Sequence, residues 1–120
     1  MKMNWEQHKS GAVLRLTGEF TIDDSESMRR RCRQWMEEAR TGLVIECSEL
    51  ERLDSSALET LIWLQEELER RGLSMRIASL QGQPAITFSV TRLERRFQIH
   101  DTIEDAARQL AGNRWGGQAA

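Results

Sequence analysis

Residues 43–72 read LVIECSELERLDSSALETLIWLQEELERRG, and this stretch carries a strand, a polar turn and a helix in succession. The run 43–47 is almost continuously apolar, which is typical of a strand that is covered on both faces in a parallel sheet. From about residue 56 to residue 71 the pattern has helical spacing. One side of that helix carries Leu58, Leu61, Ile62, Gln65 and Leu68. Gly72 is expected to end it.

The residues before this stretch predict a β-hairpin. Residues 12–17 alternate as a strand does, and the inward-facing side chains are Ala12, Leu14 and Leu16. A second strand within residues 3–8 can pair with it across a turn at residues 9–11. Gly18 breaks the alternation and is expected to end the strand.

A first helix is predicted between the hairpin and the buried strand. Asp23 is expected to cap it, with Glu26 three residues later completing a capping box. Gly42 is expected at the left-handed position that follows the last turn. The apolar face of this helix is formed by Met28, Cys32, Trp35, Met36 and Ala39.

The remaining elements continue the alternation of strands and helices. A strand is predicted at 74–79, a helix from 81–84 to about 92, a brief strand at 97–99 and a last helix at 103–110. Strands that alternate with helices indicate an α/β fold. We therefore predict a single domain with a mixed, mainly parallel sheet of four to five strands and about four helices.

Composition narrows the class of protein. The chain has 120 residues and a net charge of −2, which fits one soluble domain and lacks the basic excess of a nucleic-acid binder. No stretch approaches the ~20 apolar residues of a membrane span. The two cysteines, Cys32 and Cys47, define no disulfide framework. We expect a cytoplasmic protein with a domain over residues 1–111 and a flexible tail over 112–120.

The turn 54–56 places two hydroxyls at the start of the second helix. The N-terminus of a helix favours negative charge, because its first N–H groups are unpaired and the helix dipole is positive there. A phosphate on a serine at this position would add about −1.5 to −2 charges and alter a binding surface. Asp54 is expected either to orient the neighbouring hydroxyl or to cap the helix. Ser56 is expected to form a capping box with Glu59.

The order and spacing of four segments resemble the STAS domain, which occurs in anti-sigma-factor antagonists and in sulphate transporters. Residues 14–20 are similar to the second strand and Gly-Glu-Leu loop of the family, and residues 43–50 to its central strand. Residues 53–58 resemble its Asp-Ser-Ser-Gly-Leu motif. Residues 97–106 resemble its closing segment. The similarity extends over about residues 4–110 and implies a STAS-like fold.

The resemblance to the antagonist branch implies a function for this turn. Ser55 occupies the position of the phosphoacceptor. An anti-sigma factor that is also a serine kinase would bind the unphosphorylated chain, and a serine/threonine phosphatase would restore that form. The loop and partner surface would comprise Asp54, Ser56, Glu19, Thr21 and Asp23. Thr21 stands where the family usually has an acid, and Ala57 where it usually has a glycine.

Other functions remain open from the sequence. Free-standing members of the family also serve as subunits of lipid-transporting ABC systems, where the partner would be an ATPase and no kinase is needed. A serine hydrolase is disfavoured, because Ser55 lacks the Gly-x-Ser-x-Gly elbow and no histidine is placed as its base. No phosphate-binding glycine loop and no metal-ligand spacing is present. We therefore predict a protein-binding regulator that is not an enzyme and has no cofactor.

Overall fold

A computed structural model of the protein describes residues 1–9 and 11–110; the predicted tail over 112–120 lies outside these residues. Five strands form one sheet in the order β1-β2-β3-β4-β5. β1 pairs with β2 antiparallel, and the other pairs are parallel. The elements in chain order are β1 (Lys2–His8), β2 (Gly11–Phe20), α1 (Ile22–Glu38), β3 (Leu43–Leu53), α2 (Ser55–Arg70), β4 (Met75–Ala78), α3 (Gly82–Val90), a 3₁₀ turn (Leu93–Arg95), β5 (Gln98–His100) and α4, described over residues 103–110. The predicted fold class is confirmed.

The two faces of the sheet are covered unequally. The main core lies on the face that carries Leu14, Ile45 and Ile77, which are buried against α1, α2 and Phe88 of α3. Successive strand residues point to opposite faces. The adjacent positions therefore line the second face, where a smaller cluster consists of Val13, Val44, Ala78, Ala106 and Leu110. The inward stripe predicted for β2 is confirmed, and α4 covers only part of the second face.

Gly18 does not end β2, which continues to Phe20. Gly18 has φ +94°, a left-handed conformation that glycine adopts without strain, and the register with β3 shifts between Gly18 and Glu19. The glycine thus marks an irregularity inside the strand. The prediction was wrong because the neighbouring strand β3 is also longer than expected. β3 runs to Leu53, with Leu50 and Leu53 buried between exposed polar residues.

Gly42 is also used differently from the prediction. Helix α1 ends at Glu38 with an extended residue, Ala39, as its C-cap, and Gly42 has no positive φ. A Cβ atom at residue 42 would lie 2.6 Å from the carbonyl oxygen of Ser74 and 2.7 Å from Leu110 Cδ2. Glycine is therefore required there for the close approach of two backbones. Gly72, by contrast, has φ +73° and ends α2 as predicted.

The third helix is shorter than predicted. It begins at Gly82 and ends at Val90, and Arg92 adopts a left-handed conformation with φ +62°. That turn of the backbone stops the helix two residues before the predicted end. The predictions for β4, β5 and the helix at 103–110 are confirmed within one residue at each end that the structure describes.

Candidate functional site

Ser55 is the first residue of α2, directly after β3 ends at the carboxyl edge of the sheet. Its side chain is exposed. The first N–H groups of a helix have no intrahelical acceptor, so the Ser55 and Ser56 amides lie beside the hydroxyl as potential donors. The position predicted for a phosphoacceptor is therefore accessible to another protein and lies at the positive end of a 16-residue helix.

Asp54 joins the loop before α2 to the loop before α1. Its Oδ1 accepts a hydrogen bond from the Ala57 amide (2.9 Å), which makes Asp54 the N-cap of α2. Its Oδ2 accepts one from the Ile22 amide (3.0 Å), and its own amide donates to the Phe20 carbonyl (3.2 Å). Of the two roles left open for this carboxylate, the structure assigns the cap.

The capping box predicted for Ser56 and Glu59 is wrong, because Asp54, two residues earlier, is the N-cap of α2. Ser56 is the second residue of α2, half-buried, and its carbonyl accepts a hydrogen bond from Thr60 Oγ1 (2.9 Å). Ser56 therefore lies within the helix and not at the N-cap position before it. Ser55, the more exposed of the two hydroxyls, is the better placed for modification.

The cap of α1 is Thr21, and the prediction of Asp23 is wrong. Thr21 Oγ1 accepts from the Asp23 amide (3.3 Å), and Asp24 completes a capping box by accepting from the Thr21 amide (3.1 Å). Asp24 Oδ1 also lies 3.5 Å from the N-terminal amine of Met1. Asp24 is thus occupied by contacts within the fold, whereas the Asp23 side chain is exposed.

The other predicted loop residues lie on the same side of the molecule. Glu19 is exposed in β2 and is paired in register with Arg52 of β3, one step before Phe20 pairs with Leu53. Asp54 then links the two chain segments. The structure therefore brings both loops together through the backbone, while the threonine at position 21 is used as a helix cap.

Ile22 was not predicted from the sequence as part of this site; it is 66% exposed although its amide is bound to Asp54. It follows the cap of α1, and its position lies outside the spacing of the buried residues Met28, Cys32 and Met36. That mismatch with the helix period was the signal available in the sequence. A large apolar side chain is thus exposed to solvent next to the turn at residues 54–56, which we call the Ser55 loop.

Helix α3 is attached to the same loop and is exposed in the same way. Gln83 accepts a hydrogen bond from the Leu53 amide (3.1 Å) and donates one to the Leu53 carbonyl (3.3 Å). Ile86 and Val90 follow Gln83 by three and seven residues and therefore share its side of the helix. They are 63% and 76% exposed. Ile86 and Val90 thus form an exposed apolar stripe on α3, on the side of the helix that is bound to Leu53.

The cysteines offer no chemistry to this site. Burial raises the pKa of the Cys32 thiol to about 12, and burial together with the charge of Glu46 raises the pKa of Cys47. Both thiols stay protonated near neutral pH and are poor nucleophiles and ligands. Within the residues that the structure describes, no group of three His, Cys, Asp or Glu side chains could hold a metal ion.

Comparison with known proteins identifies the family. A family model of the STAS domain matches residues 2–106, so the chain belongs to the STAS domain family. Among residues 1–9 and 11–110, no helix is long and apolar enough to cross a membrane.

Solved structures of several regulators and transporters share the fold. An anti-sigma factor antagonist from Mycobacterium paratuberculosis is 20% identical, with a TM-score of 0.82 over 91% of this chain and 92% of that one. SpoIIAA from Bacillus, in its phosphorylated form, is 20% identical, with a TM-score of 0.71 over 90% and 98%. A sulfate transporter family protein from Wolinella succinogenes is 14% identical, with a TM-score of 0.75 over 88% and 90%. At these identities the likeness concerns the fold.

Proposed function

We propose that this protein is an anti-sigma-factor antagonist that is switched by phosphorylation of Ser55. In its unphosphorylated form it binds an anti-sigma factor that is a serine kinase, and a serine/threonine phosphatase regenerates that form. The observation that carries the proposal is the exposed Ser55 hydroxyl at the N-terminus of α2. SpoIIAA, which shares the fold, is an anti-sigma factor antagonist known in unphosphorylated and phosphorylated forms.

The charges around Ser55 explain how a phosphate would act. The N–H groups at the start of α2 favour an anion on this side chain. Asp54 is fixed beside it by two hydrogen bonds and repels the same anion. A partner that packs against the neutral Ser55 hydroxyl would, after phosphorylation, have to bury a dianion next to the Asp54 carboxylate. Burial of that charge is strongly unfavourable without a matching cation. The chain would keep its fold while the complex dissociates.

The apolar residues around the loop supply a surface for such a partner. Ile22 stands beside Asp54, and Ile86 and Val90 extend from the Gln83–Leu53 contact. Exposed apolar patches that are rimmed by polar residues often mark protein-binding sites. Because the Ile22 amide is bound to Asp54 and Gln83 of α3 is bound to Leu53, the two residues that precede Ser55, one partner could contact these apolar side chains and the hydroxyl.

A second candidate function rests on Thr21. Where relatives usually carry an acid, this chain has the N-cap of α1, and Asp24 is committed to the capping box. A subunit of a lipid-transporting ABC system, bound to its ATPase without any kinase, would not need that acid. The exposed carboxylate of Asp23, two residues further on, keeps the antagonist function as the first choice.

The test is phosphorylation in vitro. The full chain is incubated with ATP and each anti-sigma serine kinase of the same genome, and the modified residue is mapped by mass spectrometry. We expect one phosphate, on Ser55, and none in the Ser55→Ala variant. Ser56→Ala is the matched control, because it removes the neighbouring hydroxyl and should leave phosphorylation intact.

Two outcomes would reject the proposal. One is the absence of phosphate on Ser55 with every kinase tried. The other is modification of Ser56 in place of Ser55. Stable association with an ABC-transporter ATPase in the absence of kinase binding would favour the second candidate function.

A further inference from the structure

The outer edge of β1 is the long unpaired strand edge of this sheet. β1 has seven residues, Lys2–His8, and is the first strand in the sheet order, so only its β2 side is paired within the described residues. At the opposite end of the sheet, β5 has three residues. A long free edge presents unpaired N–H and C=O groups that can pair with another strand.

A groove runs beside this edge, between β1 and α1. One part of it has a volume of about 590 Å³ and is lined by Trp5, Arg31, Gln34 and Trp35, among others. A second part of about 470 Å³ is lined by Met1, Met3, Ser27 and Arg31, among others. The rings of Trp5 and Trp35 stack at 5.6 Å between centroids and are only half-buried. The groove offers aromatic surface to the side chains of an added strand.

The sequence of β1 complements itself in one antiparallel register. If a two-fold axis passes through Asn4, then Lys2 of one copy lies opposite Glu6 of the other, and Met3 lies opposite Trp5. Each pair occurs twice by symmetry. The two residues of a pair lie on the same face of the sheet, so the Lys2–Glu6 pairs lie on one face and the Met3–Trp5 pairs on the other. An axis through Trp5 would instead set Lys2 against His8, and an axis through Glu6 would set two carboxylates together. Only the first register matches charge with charge and apolar with apolar side chains.

We propose that two copies of this chain associate through β1 about a two-fold axis at Asn4, forming one continuous ten-stranded sheet. Met3 of each copy then enters the groove of the other, against Trp5 and Trp35. A stable interface buries roughly 1,600 Å² in total, and the groove adds to what a seven-residue strand alone supplies. The inference is independent of the proposed function, because β1 contains none of the residues of the Ser55 loop.

Disulfide trapping tests the register directly. In the Asn4→Cys variant the two new thiols face each other across the axis, within the Cα separation of about 4.4–6.8 Å that a disulfide needs. Mild oxidation should convert most of this variant to a covalent dimer. Gln7→Cys is the matched control: it is also exposed, but its two thiols would be six residues apart, roughly 20 Å. The native thiols are buried and do not compete.

Charge reversal tests the same pairing without cross-linking. Sedimentation from about 1 µM to about 1 mM covers the range in which a modest interface dissociates. Lys2→Glu and Glu6→Lys should each weaken the dimer tenfold or more, and the double variant should restore it. Lys9→Glu, outside the paired residues, should have no effect. Circular dichroism checks that each variant is folded, since Glu6 also contacts Arg15 at 3.3 Å.

The proposal fails if the native chain stays monomeric over that range, or if the double variant dimerises no better than the single ones. Equal trapping of the Asn4→Cys and Gln7→Cys variants would also overturn it, because it would indicate collision or another register. None of these results bears on Ser55 phosphorylation, which is assayed separately.

Discussion

Replacement of Asp54 by alanine should destabilise the whole domain, because this side chain caps α2 and joins it to the loop before α1. The cap bond to Ala57 contributes about 1 kcal/mol. The bond to the Ile22 amide involves a charged acceptor, but that amide is accessible to water, so its loss costs about 1 kcal/mol more. We expect the free energy of unfolding to fall by about 2 kcal/mol and the melting temperature by about 8 °C.

Urea denaturation followed by circular dichroism measures this change. Asp54→Asn keeps one acceptor oxygen and should lose about half as much. Asp101→Ala is the matched control, since Asp101 is an exposed aspartate that makes no hydrogen bond within the described part of the chain, and its removal should cost under about 0.5 kcal/mol. If Asp54→Ala were no more destabilising than Asp101→Ala, the bridge between the two loops would not be a source of stability.

Two further predictions concern the backbone and the buried thiols. Gly42→Ala should lower the free energy of unfolding by about 2 kcal/mol or more, because its Cβ would lie 2.6 Å from the Ser74 carbonyl oxygen. Gly72→Ala has open space around its Cβ but a φ of +73°, and should cost about 1 kcal/mol. If urea denaturation showed Gly72→Ala to be the more destabilising of the two, this explanation would be contradicted. Cys32 keeps its proton in the fold up to a pKa of about 12, while in the unfolded chain it ionises near 9.0, so its stabilising effect is present below pH 9 and is lost as the pH rises. Between about pH 8 and about pH 10, the unfolding free energy of the native chain should fall by about 1 kcal/mol more than that of Cys32→Ala. Equal pH slopes would show that this thiol ionises in the fold as it does in the unfolded chain.

The fold was largely predictable because each element carries a strong local pattern. The apolar run at 43–47 and the helical spacing that follows it define β3 and α2, and the inward stripe of β2 was equally clear. The ends of elements were less predictable, since they depend on contacts with distant residues. β3 extends to Leu53 because β2 pairs with it throughout, and Gly42 is required by a backbone that lies 32 residues further along the chain, at Ser74.

The site was predictable in its position but not in its internal contacts. Several acidic or hydroxyl residues near the start of α1 and of α2 could serve as caps, and the sequence does not choose among them. The choice of Thr21 and Asp54 follows from the meeting of the two loops, which lets one carboxylate bind the amides of Ala57 and Ile22. The exposed Ile22, Ile86 and Val90 were overlooked because apolar residues were assigned to the core by spacing alone.

The most direct test of the central claim is the affinity of the chain for its serine kinase before and after phosphorylation. Isothermal titration compares the unmodified chain, the chain phosphorylated at Ser55, Ser55→Ala and Ser55→Asp under the same conditions. We expect the unmodified chain and Ser55→Ala to bind alike, and the phosphorylated chain and Ser55→Asp to bind at least tenfold more weakly, a difference of about 1.4 kcal/mol or more. Equal affinities for all four would contradict the switch.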